Sequence, residues 1–240
     1  MWIAALVFLS VGLSDLARAA DDARRVRNLL VCVALGLAPL VVLTVSGALP
    51  ILWMIGGAVL LIAWHITTSR GFAPERFALL PVVGFGVVVI AALAIPSLTP
   101  AMPSPLVAWY TGLPYWFVAV TSPERFALLI GYAVFLVNSA NHVVVAVLGL
   151  AGPQVQRSSR TIRGGRIIGP IERLFIFWMA VAGQVLAIGA IIAAKGILRY
   201  PEINEQSKAN KGRNRGALAE YVLIGSLASW SIAFLIVPVY

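Results

Sequence analysis

Long apolar tracts alternate with short charged islands along the 240-residue chain. Residues 28–69, 77–123, 126–156, 174–194 and 221–240 contain no Asp, Glu, Lys or Arg. Apart from Asp15, every charge falls in islands at 18–27, 70–76, 124–125, 157–173 and 195–220. A hydrocarbon layer of about 30 Å takes about 20 helical residues, so the last two tracts predict one crossing each and the first two are long enough for two. Backbone groups in lipid must pair within helices or closed barrels, and these tracts are too long and too uniformly apolar for barrel strands.

Punctuation divides the tracts further. "SGALP" at 46–50 predicts helices over 28–45 and 50–68, and "PSLTPAMPSP" at 96–105 predicts helices over 77–95 and 106–121. The tract 126–156 reads as one long helix or as two half-helices broken at "NSANH", 138–142. Adding 1–17, 172–195 and 219–239 gives an all-α transmembrane bundle of about eight helices. It forms one membrane domain, a six-helix part over 1–156 followed by a C-terminal helical hairpin module with basic loops over 157–240.

Composition agrees with this class. A mean hydropathy of +0.94, with 60% hydrophobic and 11% charged residues, excludes a soluble domain of this length, which needs more polar surface. If every segment spans, 13 of the 18 Lys and Arg residues share one side and the five in 157–173 lie opposite; if 106–121 merely dips into the membrane, the split is 11 to 7. "MWIAALVFLSVGLSDLARAA" lacks the basic start of a cleaved signal and is followed by Arg18, Arg24, Arg25 and Arg27. We therefore expect an uncleaved first helix with its N-terminus outside. The net charge of +9 points to membrane topology and anionic headgroups rather than to nucleic acid. The stretch 199–216, "RYPEINEQSKANKGRNRG", reads as a flexible loop that docks headgroups, a protein partner or a second copy. Trp109, Tyr110, Tyr115 and Trp116 read as an interfacial aromatic belt.

Candidate chemistry is sparse. "APERFALL" from 73, "SPERFALL" from 122 and "IER" at 171–173 read as helix starts, with Ser122 as N-cap, Pro123 at the first position and Glu124 at the positive end of the helix dipole. On a helix over 172–195, Arg173, Gln184 and Lys195 share one face, with Gln184 near mid-membrane. A hairpin to the last helix would bring Glu220 near Lys195. Glu172, Arg173, Gln184, Lys195 and Glu220 thus form a candidate polar seam, against the plainer reading of charges at helix ends with one interhelical hydrogen bond. Asn138, Asn141 and His142 form a candidate polar break, a packing site or a cavity wall. Asp15, Asp21 and Asp22 read as a solvated helix end rather than a magnesium site. His65 and His142, the only histidines, have no ligand-spaced neighbours, and the single cysteine, Cys32, allows no disulfide within the chain. No catalytic residue, metal or cofactor is expected.

Three blocks carry a resemblance: Gly165–Arg173 with "GRIIGPIER", Ala193–Tyr200 with "AAKGILRY", and Glu220–Leu227 with "EYVLIGSL". They are similar to the C-terminal G-R-x-I-G-x-L-E-R, A-A-K-S-I-x-R-F and E-Y-x-L-I-G-T-L pattern of a family of uncharacterised prokaryotic membrane proteins. The resemblance covers about residues 165–229, with departures at Pro170 and Gly196. It implies a multi-pass architecture and a prokaryotic cytoplasmic membrane. The expected function is a non-enzymatic transport or channel-type subunit or a membrane-complex subunit. The alternatives are a structural, partner-binding membrane module and, behind it, a lipid-processing enzyme.

Overall fold

The computed structural model describes residues 1–18, 25–41, 49–68, 79–95, 101–150, 165–209 and 215–237. These residues contain α1 (Trp2–Leu16), α2 (Arg25–Val41), α3 (Leu49–Thr68), α4 (Leu80–Ala94), α5 (Ser104–Thr111), a 3-10 turn (Trp116–Ala119), α6 (Pro123–Val137), α7 (Ser139–Leu150), α8 (Gly165–Val181), α9 (Val185–Ala209) and α10 (Arg215–Phe234). The described chain is all-α, without strands. It divides into two compact units, Met1–Ser139 and Ala140–Tyr240, a boundary earlier than the 156/157 division drawn from the charge islands.

In the first unit α1 is the central element, packed on α2, α3, α4 and, most extensively, α6. Twelve of its fifteen residues are buried, as expected of a helix that is apolar on every side. Close approach to α6 depends on two glycines. A Cβ at Gly12 would lie 2.9 Å from the Phe135 backbone nitrogen, and one at Gly131 would meet the carbonyl of Ala5. Small residues of this kind let helix backbones approach closely. Around the crossing, Phe8 packs edge-on to Tyr132 and Phe135, and Phe85 stacks on Phe135 at 5.2 Å.

Ser122 caps α6, its hydroxyl accepting from the Arg125 amide at 3.3 Å, with Pro123 and Glu124 in the first turn. The expected helix start is found at this copy; the "APER" copy lies outside the described residues, and "IER" falls inside α8, which starts at Gly165. Two other expectations change. Residues 106–121 are not one helix: α5 has eight residues, and after Gly112 the chain forms only a 3-10 turn, tied back by the Tyr110 hydroxyl donating to the Thr121 carbonyl at 2.8 Å. Trp109, Tyr115 and Trp116 on this segment are exposed, and Tyr110 is buried.

Nor is 172–195 one helix. α8 stops at Val181, Gly183 takes φ 71°, and α9 starts at Val185. The Gly183 amide donates to the Ala180 carbonyl and the Gln184 amide to the Met179 carbonyl, at 3.0 and 2.8 Å. This is the Schellman pattern, which needs a left-handed residue just past the helix and so favours glycine. α9 then folds back along α8, and Ile176, Ile188 and Ala233 form a core with Met179, Ile191 and Trp230 around it. On α10, Ile224, Ala228 and Ile232 also pack on Val144 and Leu148 of α7. α9 runs on to Ala209 and α10 starts at Arg215, so the described residues of the expected 199–216 loop are helical; Glu, Gln, Lys and Ala in "PEINEQSKA" are good helix formers.

Among the described residues no single helix is long and apolar enough to cross a membrane. α6 and α7 pass that test together, with a 56° bend at Asn138, so the two half-helices are what the structure contains.

Candidate functional site

Each unit buries an ionic cluster. In the second unit the centre is Glu172 on α8. Its Oε2 lies 2.6 Å from Lys195 Nζ on α9, and its Oε1 accepts from Trp230 Nε1 on α10 at 2.7 Å. Lys195 Nζ also sits over the Trp230 ring, 5.3 Å from its centroid, in cation–π range. One carboxylate thus joins three helices. Arg173, 2% exposed, reaches Ser229 Oγ at 3.5 Å on the same face of α10.

The hairpin turn explains this grouping. With the reversal at Gly183 and Gln184, residues equally far before and after it face each other, and Glu172 falls opposite Lys195. Three of the five seam candidates, Glu172, Arg173 and Lys195, therefore gather at α8–α10. Gln184 does not: it sits at the hairpin tip, exposed, rather than on a stripe with Arg173 and Lys195. Glu220 is also exposed, and the carboxylate that meets Lys195 is that of Glu172. The expected single-helix stripe fails because the chain reverses at Gly183, and the expected Lys195–Glu220 contact gives way to Lys195–Glu172, with Glu220 exposed.

The first unit holds a second cluster, at the C-terminal ends of α1, α3 and α6. Asp15, fully buried, accepts from Trp64 Nε1 at 2.9 Å and pairs with Arg18 at 3.0 Å. The same Arg18 nitrogen lies 2.8 Å from Thr68 Oγ1 and 3.2 Å from His65 Nδ1. Arginine has no acceptor, so Nδ1 of His65 accepts and its ring proton is on Nε2. Ser14 Oγ lies 3.5 Å from the same Nδ1. From the α6–α7 junction, Asn138 donates to the Asp15 backbone carbonyl at 2.7 Å, and Ser139 donates to the Val11 carbonyl at 3.3 Å.

This cluster was not assembled from the sequence. In sequence Asp15 reads as a solvated helix end, His65 has no neighbours of ligand type, and Asn138 groups with Asn141 and His142. The structure turns Asn138 toward Asp15, leaves Asn141 exposed and half-buries His142. The signal that was present is the i, i+3 pair Asp15–Arg18, beside an apolar helix that has no other charge. Asp21 and Asp22 lie outside the described residues. Among the described residues no three His, Cys, Asp or Glu side chains come together in a metal-holding group.

The clusters link helices and place charge where the surroundings are apolar. Comparison with protein-family models, with curated proteins and with solved structures gives no match.

Proposed function

We propose that this chain is an integral membrane protein, a polytopic helical bundle of the transport or channel type or a subunit of a membrane complex, and not an enzyme. The observation that supports this reading is the distribution of polarity in the first unit. Asp15 and His65 are buried, while Ile55, Val59, Val83, Val87 and Ile90 point outward, Ile90 with 65% of its surface exposed. In water both halves of that arrangement are unfavourable, because exposed aliphatic surface costs about 25 cal/mol per Å2 and buried charge must be compensated. In lipid the outward side chains are already in their preferred solvent, and charged groups turn inward to partners. The two buried ion pairs are where we place the functional chemistry, since ionisable residues at membrane depth commonly mark ion or proton paths.

A structural, partner-binding module is the second reading. It is favoured by the fact that both Glu172 oxygens meet donors from neighbouring helices, and the Asp15 carboxylate meets Trp64 of α3 and Arg18 just past its own helix. Two measurements separate the possibilities. Resistance of the membrane-bound protein to alkaline carbonate, with release only by detergent, is expected; recovery in the carbonate supernatant would overturn the membrane assignment. In liposomes, Asp15→Asn and Glu172→Gln variants that stay folded but lose proton or potassium flux support transport. Absence of flux in the unaltered protein, together with unfolding of the variants, supports the structural module.

A further inference from the structure

We propose that the polar cluster at the C-terminal ends of α1 and α3 is a proton-binding site, in which His65 takes the proton and Arg18 gives up its seat. The inference deepens the transport reading above and rests on its placement of functional chemistry at the buried ion pairs.

Two matched helix faces build the cluster. Ser14, Asp15 and Arg18 follow at i, i+1 and i+4 along α1 and just past its end, and Trp64, His65 and Thr68 repeat that spacing on α3. Such a triplet spans an arc of about 100° on a helix, so each set faces one way. The two sets meet in order, Trp64 Nε1 with the Asp15 carboxylate at 2.9 Å and Arg18 Nη2 with Thr68 Oγ1 at 2.8 Å. His65 Nδ1 lies between them, 3.5 Å from Ser14 Oγ and 3.2 Å from Arg18 Nη2. Asp15 and His65 are buried, whereas the Arg18 side chain is 21% exposed, so the arginine is the member of the trio nearest the surface of this unit.

Charge bookkeeping gives the arrangement its direction. With Nδ1 accepting from Arg18, the trio is a carboxylate, a guanidinium and a neutral imidazole, and its sum is zero. A proton bound at Nδ1 takes up the lone pair that Arg18 uses. The hydrogen bond from Arg18 is then lost, and two cations face each other at the same short range, which apolar surroundings do not sustain. Movement of Arg18 outward restores the balance, leaving an imidazolium and the Asp15 carboxylate in the cluster. One proton enters, one guanidinium leaves, and the buried charge stays at zero. The seat of Arg18 suits a residue that departs. Its Nε is buried without a hydrogen-bond partner, and its other contacts are to Thr68, whose hydroxyl donates to the Trp64 carbonyl and so accepts from Arg18, and to the Thr68 carbonyl at 3.4 Å.

The same inventory selects a proton over a larger cation. The Asp15 carboxylate already faces the Trp64 N–H and the Arg18 guanidinium, so a metal ion there would have to displace both donors. A proton needs one lone pair, and Nδ1 supplies it. Histidine is also the side chain whose ordinary titration falls between about pH 5 and 8. The titratable or charged side chains described on the elements packed against α3 are Asp15 and Arg18 at the end of α1 and the buried Cys32 thiol of α2; α4 carries none.

The test uses the full chain in vesicles of phosphatidylethanolamine and phosphatidylglycerol, with isotope-labelled histidine ring nitrogens followed by NMR as pH is varied. His65 and His142 are the only histidines, so either single-histidine variant, His142→Gln or His65→Gln, assigns the signals. The His65 nitrogens should pass from neutral to imidazolium shifts between about pH 8 and 5. Arg18→Met, which removes the competing cation, should raise the proton affinity of His65 about tenfold or more. Thr68→Val leaves every charge in place and loosens only the hold on Arg18. It should raise that affinity about two- to tenfold, and should have no such effect in the Arg18→Met background. Should Arg18→Met not fold, Thr68→Val alone decides. His65 nitrogens that do not change over this range, in protein that stays with the vesicles, overturn the proton site. A midpoint that Thr68→Val leaves unmoved or lowers, or a Thr68→Val effect that persists undiminished without Arg18, overturns the displacement. Protein that does not stay with the vesicles overturns the membrane reading itself, an outcome told apart from a silent histidine.

Discussion

Glu172 satisfies both of its oxygens within the chain, and this makes the effect of each neighbour separable. Replacing Lys195 by Met leaves a carboxylate that is only 8% exposed facing a single Trp230 N–H, and should cost about 3 kcal/mol. Glu172→Gln should cost less, because the longer lysine can carry its charge toward water or headgroups. The double variant should be more stable than the sum of the two losses implies, measured by thermal unfolding in detergent. Glu220→Gln, at an exposed position, should change stability by no more than about 0.5 kcal/mol. Additive losses at 172 and 195 would show that the ion pair contributes nothing as a pair. Glu172 and Lys195 were both legible as special from their places at the edges of an apolar tract, but their partnership was not. Helical spacing put Lys195 in line with Arg173, and only a chain reversal sets it opposite Glu172. His65 illustrates the same limit more sharply, since its neighbours Ser14 and Arg18 lie about fifty residues away and meet it only where α1 and α3 pack.

The turn at Gly183 decides between a helix and a hairpin, and one substitution has opposite signs in the two. In a continuous helix over 172–195, Gly183→Ala would stabilise by about 0.5–1 kcal/mol, the ordinary helix-propensity gain. At φ 71° a Cβ is strained, so the hairpin predicts destabilisation of about 1–2 kcal/mol instead. Thermal unfolding of the single variant gives the answer, and an increase in stability would argue for a straight helix. At the α1–α6 crossing Gly131→Ala meets the backbone carbonyl of Ala5, which cannot swing aside, so a loss of about 1–3 kcal/mol is expected. The same change at Gly189, with open space around it, should be harmless or mildly stabilising. Helix existence was largely legible from apolar tracts and proline, as α2, α3, α4 and α6 show. What was not legible is where an apolar tract is two elements: Gly183 and Gly112 read as ordinary members of long uncharged runs, and their effect depends on backbone geometry that composition does not carry.

At the scale of the whole chain, the first helix is where processing and architecture meet. A cleavable signal leaves its passenger able to fold without it, whereas α1 supplies the centre on which α2, α3, α4 and α6 all pack, and it carries the buried Asp15. Removing residues 1–17 would take away the buried aromatic Phe8, the crossing at Gly12 and the carboxylate that Trp64 and Arg18 hold. Loss of a large buried aromatic alone costs about 3–5 kcal/mol, a substantial share of the stability of an ordinary domain. The mature protein is therefore expected to retain residues 1–17, read by intact mass. A chain made without residues 1–17 should fail to accumulate even when another signal directs it to the membrane. If intact mass placed the start near residue 20, with a folded protein remaining, α1 would be dispensable. The arrangement of α2, α3, α4 and α6 around it would then have to be replaced by one in which those helices pack directly on each other.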